Sequence, residues 1–445
     1  MGVIQAAGTD AGAGGVGGVT SELPRLHQAS WWAGKAFWAV LDQGLFATSN
    51  IILGVLLARW LSPEQFGSFA VAQSVFLLTG TLHAGLFSEP MLVFGSSRHA
   101  TRFPAYLDIL IQAHWRLTAL VSIVLGCAAL AFRVFASLAL AGALLGVAIA
   151  GPFILFGWLV RRACLSRLQP QWAAAGGVLY LLLLLTGSYT LWLMGLLSPF
   201  SALVLLGGAG LVSGLWILGR LQNADVSVDG ERLSRSEVFR DHWSYGRWAV
   251  ASSGLSWIPG NLYYVLVPAF AGLEAAGALR ALSNLVLPIT HFNQALGSLL
   301  LPALASAAHK KSQFNRLLGA SLAVFVGGSL LYGGFLTVLR EPIIDWLYRG
   351  AYGDTAALVP IVALLPIAAA LIAVLGSALR ALEQPQQVFW AYVASTVITL
   401  TVGIWGMARW GLTGAAIGLL LSTAVTVAVC GAFLVECETK RVKWA

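Results

Sequence analysis

The chain has 445 residues, of which 58% are hydrophobic and only 10% charged, and its mean hydropathy is +0.81. A soluble domain carries about 25% charged residues, so this composition excludes an ordinary soluble protein and predicts a multi-pass membrane protein. The net charge of +8 then reads as the Lys and Arg of cytoplasmic loops, not as a nucleic-acid-binding surface.

Residues 1–35 are rich in Gly and Ala, lack a compact apolar stretch and have no Lys or Arg before Arg25. They are expected to form a disordered cytoplasmic tail, not a secretory signal. Beyond Lys35, apolar runs of membrane-spanning length recur twelve times. They fall at about 37–57, 66–93, 108–131, 135–159, 172–194, 198–220, 245–269, 278–305, 314–339, 355–379, 387–408 and 411–435. Backbone polar groups in lipid must bond within their own segment, so each run is predicted to be a helix. The runs form an N-lobe (36–220) and a C-lobe (245–436), joined by a polar cytoplasmic linker (221–244) and followed by a tail (437–445). If the N-terminus is cytoplasmic, nineteen of the 26 Lys and Arg residues lie on that face. Six lie on the other, and Arg116 lies within a span. The bias holds loop after loop, which predicts both termini inside and supports the count of twelve.

An internal repeat relates the lobes. Residues 38–67 align without gaps on 248–277, with nine identities that include Trp38/Trp248, Gly44/Gly254, Glu64/Glu274 and Gly67/Gly277. Chance alignment in so biased a chain gives about two or three. Gln169-Pro170-Gln171 and Gln384-Pro385-Gln386 echo each other before spans five and eleven, as do Pro90-Met91-Leu92 and Pro302-Ala303-Leu304. Six spans separate the copies, an even number, so the halves share one orientation. This is the parallel-repeat plan, with a substrate path expected between the lobes.

Motifs for catalysis are missing. The chain has no phosphate-cradling GxxxxGK[ST] loop, HExxH, GxSxG or CxxC pair, and its four cysteines show no ligand spacing. No cofactor or metal is expected, and an enzyme is disfavoured. Ionisable groups within spans are functional candidates by default, because lipid penalises them. Asp42 reads as an ion-coupling carboxylate or as an interfacial partner of Lys35. Glu89, before Pro90, reads as a coupling site or as a partner of Arg98 or Arg102. His83 and His291, in the equivalent spans two and eight, could line a polar path or simply bond a neighbouring helix. Arg59 and Arg280 are either interfacial anchors or a cationic lip for a phosphate-bearing substrate. Asn261, Tyr263 and Tyr264, beside Pro259-Gly260, offer groups suited to sugar or to helix packing.

Residues 50–75, NIILGVLLARWLSPEQFGSFAVAQSV, resemble the first-loop signature of bacterial polysaccharide flippases. These are the Wzx-like branch of the multidrug/oligosaccharidyl-lipid/polysaccharide (MOP) exporter superfamily. LRALEQPQQ (379–387) and Gly411-Leu412-Thr413-Gly414-Ala415-Ala416 add to the likeness. The resemblance implies an all-α membrane protein with two six-helix, MATE-like lobes around a central cleft lined by helices one, two, seven and eight. It implies a bacterial inner-membrane flippase that moves undecaprenyl-pyrophosphate-linked oligosaccharide for O-antigen, capsule or exopolysaccharide. A polymerase and export machinery would be its partners. Cleft cations are a feature of the family. Arg59 and Arg280 are the candidates here, with Arg247 at the inner mouth of span seven. The alternatives are a MATE-type small-molecule efflux antiporter and, further off, an intramembrane glycan polymerase or ligase.

Overall fold

The computed structural model describes residues 25–135, 137–222 and 233–442, and no strand occurs among them. Residues 1–24 of the expected tail, 223–232 of the expected linker and 443–445 lie outside the described residues. The N-lobe comprises α1 (Arg25–Trp60), α2 (Pro63–Phe94), α3 (Phe103–Phe135), α4 (Leu138–Ser166), α5 (Pro170–Leu193) and α6 (Pro199–Gln222). Residues 25–35, expected in the tail, are the first turns of α1.

A continuous helical run Arg235–Ala307 breaks at Gly272 (φ 81°, ψ 168°) into α7 (235–271) and α8 (273–307). The Tyr264 hydroxyl donates to Ser283 Oγ at 2.6 Å. On a straight helix these residues would stand about 28 Å apart, so the chain reverses at Gly272. Next come α9 (Lys311–Val338), a short helix α10 (Arg340–Tyr348) and α11 (Gly353–Ala381). A second reversal at Gly411 (φ 53°) separates α12 (385–410) from α13 (412–442), and Thr399 Oγ1 lies 2.9 Å from Ser422 Oγ across it. Ten apolar helical stretches are long enough to cross a membrane, and the two reversals make them twelve. An even number of crossings leaves both described ends on one face, called inner below.

The recognisable stretch at 61–67 is a helix start with a tertiary contact attached. Ser62 Oγ accepts from Gln65 N, and Gln65 Oε1 accepts from Ser62 N, closing a capping box. Pro63 occupies the first turn, where no intrahelical N–H is needed. Phe66 is fully buried. At Gly67 a Cβ would stand 1.8 Å from the Leu273 carbonyl oxygen, and one at Gly277 would stand 3.0 Å from Gly67 N. Here α2 and α8 touch backbone to backbone.

The Gln-Pro-Gln echo is one turn built twice. Leu168 (φ 54°) and Glu383 (φ 61°) both adopt the left-handed conformation. Gln169 N donates to Cys164 O, and Gln384 N to Leu379 O, the 6→1 bond of a Schellman helix end. The following proline then opens α5 in one lobe and α12 in the other.

The buried apolar residues divide by level. One cluster spans both lobes in the outer half, joining Leu53, Phe66 and Leu144 to Tyr263, Leu279, Leu285 and Tyr348. In the inner half there are two separate clusters. One is N-lobe (Met91, Tyr106, Leu159, Ile217) with Val238 of α7 added; the other is C-lobe (Leu304, Phe314, Val374, Cys430). The lobes are therefore fused outside and parted inside.

Candidate functional site

The helices flanking the interlobe space are α1, α2, α7 and α8, and their outer halves close it. Besides the Gly67–Gly277 crossing, the Trp257 indole donates to Ser74 O across the lobes at 3.2 Å, and Gly54 of α1 backs onto the Asn284 amide. The Tyr348 hydroxyl of α10 donates to Ala281 O, and Tyr352 meets Phe66 edge-on.

On the inner side α2 and α7 stay joined. Gly246 packs against the Gly85 carbonyl, and Gly85 against the backbone of Ala249 and Val250. His242 Nδ1 lies 2.8 Å from Leu86 O and its Nε2 lies 2.6 Å from the Tyr106 hydroxyl. Arg98 pairs with Asp241 at 2.6 Å, and Arg235 donates to Gln112. The first turns of α7, expected to be linker, are thus fastened to the N-lobe. The inner half of α1 is different. It packs on α4 and α5 through Asp42, Lys35 and Gly177 and exposes Phe37, Trp38, Val40, Gln43, Gly44 and Thr48. That arc exceeds half the helix circumference, so it faces the interlobe space as well as lipid.

Arg280 is the cation in the closed outer half. It is half-buried, and its Nε is buried with no hydrogen-bond partner. Its guanidinium sits 5.9 Å from the centre of the Tyr264 ring, and its charge acts on both Tyr348 and His291. His291 lies three turns further in, so the Arg280 side chain is directed toward the middle of the membrane. It forms no ion pair among the described residues. One turn further in, the buried Asn284 amide faces Gly54 and the Tyr348 hydroxyl; toward the outer end, beside Phe66, the Tyr352 hydroxyl is buried without a hydrogen-bond partner among the described residues. The Gly54–Asn284 contact puts Arg59 and Arg280 at nearly the same depth, since each lies four or five residues further out. Arg59 is half-buried in the last turn of α1, where a cation also complements the helix dipole.

The other candidates are dispersed. His291 bonds Gln294 at 3.1 Å on a partly exposed stretch of α8. His83 turns into the N-lobe, where its Nε2 lies 2.9 Å from His114 Nδ1. Asn261 bonds back to Trp257 O. Tyr264 lies under Arg280, but Tyr263 faces α12 and α13, wedged between Gly403 and Gly418 with its hydroxyl on Ser422. Arg247 is exposed at the inner end of α7, over its neighbour Trp248. Asp42 is 1% exposed in its side chain and takes two bonds from Arg161 on Oδ1, at 2.9 and 3.1 Å. Glu89 is half-buried, and its charge acts on Arg162 of α4.

Five residues that sequence reasoning did not place belong to these clusters. Arg161 and Arg162 read as loop cations yet form the last turns of α4. Asn284, Tyr348 and Tyr352 gave no signal beyond polarity near an apolar run. No group of three or more potential metal ligands occurs among the described residues.

The model of one family, described as polysaccharide biosynthesis protein, matches residues 225–357. That segment contains Arg280, Asn284, Tyr348 and Tyr352. No curated protein matches the chain. Solved structures match nearly all of it. An inward-facing multidrug resistance MATE family transporter of the MOP superfamily is 14% identical, with a TM-score of 0.71 over 89% of this chain and 96% of that one. Lipid II flippase MurJ in an inward closed conformation is 13% identical, with a TM-score of 0.70 over 90% and 86%. A MOP superfamily transporter from Pyrococcus furiosus is 12% identical, with a TM-score of 0.64 over 91% and 94%. At these identities the likeness is one of fold. The chain is an all-α, multi-pass membrane protein with the fold of the MOP superfamily transporters. Within that class, its matched segment resembles polysaccharide biosynthesis proteins, as does the stretch 50–75.

Proposed function

We propose that this protein moves a lipid-linked oligosaccharide, carried on undecaprenyl pyrophosphate, across the bacterial inner membrane by alternating access of its two lobes. A polysaccharide polymerase and export machinery would then use the product. The observation that carries the reading is Arg280, a cation with no ion pair among the described residues, at the apex of the inward-parted lobes with the polar side chains of Asn284 and Tyr352 nearby. An unpaired guanidinium in a low-dielectric site calls for an anion, and its planar fork suits phosphate oxygens. The match of residues 225–357 to polysaccharide biosynthesis proteins supports a glycolipid in preference to a drug; the fold itself is shared by multidrug transporters and by the lipid II flippase alike. Arg59, level with Arg280, is the second candidate contact, and Arg247 would meet the substrate at entry.

The test is export of lipid-linked repeat units in a strain lacking this gene and complemented with variants. Arg280→Ala should lower export about tenfold or more, the effect of losing one or two charge-assisted bonds of about 1.5–3 kcal/mol. Arg280→Lys should fall between, keeping charge without the fork. Normal export by Arg280→Ala at wild-type protein level would remove this residue from the site. Normal surface glycan together with drug sensitivity in the deletion strain would instead favour the efflux reading.

A further inference from the structure

Between Asp108 and Asp225 the sequence holds six arginines and neither Asp nor Glu. The helices α4, α5 and α6 therefore carry no carboxylate of their own. At their inner ends Arg161 takes its counter-ion from Asp42 of α1, and the charge of Glu89 on α2 acts on Arg162. Arg167 donates to the Ala100 carbonyl. Arg220, in the last turn of α6, is exposed and forms no ion pair among the described residues.

Arg220 is nevertheless held in place. Buried Ile217 seats α6 on α5, where a Cβ at Gly176 would stand 2.4 Å from its Cδ1. One turn further in, this packing brings the end of α6 against Trp172, in the first turn of α5. Trp216 and Arg220 are four residues apart and share a face of α6. The guanidinium carbon lies 5.3 Å from the centre of the Trp216 ring and 5.5 Å from that of Trp172. The two indoles meet edge-on at 6.2 Å. No other cation has two rings against it among the described residues. Each such contact is worth about 0.5–1 kcal/mol at an exposed position, so the guanidinium is partly ordered before anything binds it. Tryptophan belongs at a membrane interface, but an anchor needs only one indole among the headgroups. Here two, from different helices, close on one guanidinium, whose planar fork of N–H donors matches phosphate oxygens.

We propose that the inner end of the α5–α6 seam binds the phosphate of an anionic phospholipid, with Arg220 as the phosphate contact and Trp172 and Trp216 as the groups that hold it. Charge selects this occupant. Three helices without a carboxylate end at a bilayer surface whose anionic lipids attract each nearby basic residue by about 1 kcal/mol. The C-lobe has no counterpart. Gln387 follows its Gln-Pro-Gln turn where Trp172 follows the first, and Glu383 and Glu436 stand beside Arg380 and Lys440. The site thus ties one lobe, not both, to the inner leaflet. Neither α5 nor α6 flanks the interlobe space, so the inference stands whatever substrate is carried.

Native mass spectrometry of the full-length, delipidated protein tests it, with phosphatidylglycerol and phosphatidylcholine of identical acyl chains as probes. Wild type should bind phosphatidylglycerol about fivefold or more tightly than phosphatidylcholine. Arg220→Ala should lower that ratio about fivefold, the share of one basic residue at a headgroup. A Trp172→Leu/Trp216→Leu double variant keeps every charge and should lower it about twofold or more. Arg316→Ala removes an exposed cation near the inner end of α9 and should leave it unchanged. A wild-type ratio near one, or a ratio that Arg220→Ala does not lower, would overturn the site. Equal losses in Arg220→Ala and Arg316→Ala would overturn it in favour of diffuse attraction to the basic face. An unchanged ratio in the double tryptophan variant would remove the indoles from it.

Discussion

A carboxylate buried in a transmembrane helix needs a cation beside it, and Asp42 has one in Arg161, itself stacked on Phe46 at 4.2 Å. Removing one partner of such a pair leaves an uncompensated charge, typically at about 3–5 kcal/mol. Asp42→Asn should therefore lower the unfolding midpoint in detergent strongly. An Asp42→Leu/Arg161→Met double variant should regain most of the loss. If Asp42→Asn unfolds like wild type and abolishes transport, coupling, not support, is its role. The residue scale is also where sequence was least legible. Tyr263 and Tyr264 are neighbours with the same chemistry, yet a 100° step sends one into α12/α13 and the other under Arg280. In a soluble helix the apolar stripe would separate those faces. Here lipid and core are both apolar, and the periodicity that reports direction is erased.

At the scale of elements, more could be read, because turns and caps are local. The SPEQ start of α2 is a capping box whatever surrounds it, and the two Gln-Pro-Gln turns are the same helix end. Leu168 and Glu383 hold φ values natural to glycine. Glu383→Gly should stabilise the α11–α12 turn by about 1 kcal/mol, visible as a small rise in the thermal midpoint with transport intact. What could not be read was the allegiance of 235–244. A charged stretch looks like linker, yet Asp241 and His242 bind the N-lobe. His99 packs into this junction on Tyr106, 3.7 Å from Asp241, and burial lowers its pKa from the ordinary 6.5, partly opposed by Asp241. The folded protein thus holds its proton less firmly than the unfolded chain. The associated stability is present above about pH 6.5 and is lost as pH falls from there through the folded value. Midpoints measured from pH 8 to 5 should drop less steeply in His99→Gln than in wild type.

For the whole molecule, the repeat, the twelve spans and the two lobes were legible, because hydropathy and a 210-residue shift report on chain-wide properties. The conformation was not, since nothing in the sequence says which half of the cleft is closed. The distribution of cores answers that. Opening outward must split the shared outer cluster, and closing inward must join the two inner ones. Gly67→Ala would push a methyl into the Leu273 carbonyl, an overpacking usually worth about 1–3 kcal/mol, and should weaken outer closure. Ser283→Cys, buried beneath it, should then react faster with a membrane-impermeant maleimide added outside. An unchanged labelling rate would mean that closure rests elsewhere.

Gly67 and Gly277 are also each other's counterparts in the repeat, and they touch. A residue that meets its own copy lies on a two-fold axis, the signature of an isologous homodimer. A half-length ancestor would have paired through this glycine, and every substitution in it would have appeared on both sides of the path at once. The two halves of one chain are free of that constraint: Arg280 stands on α8 where the matching position of α2 is Ala70, so the wall of the path is charged on one side at that level and apolar on the other.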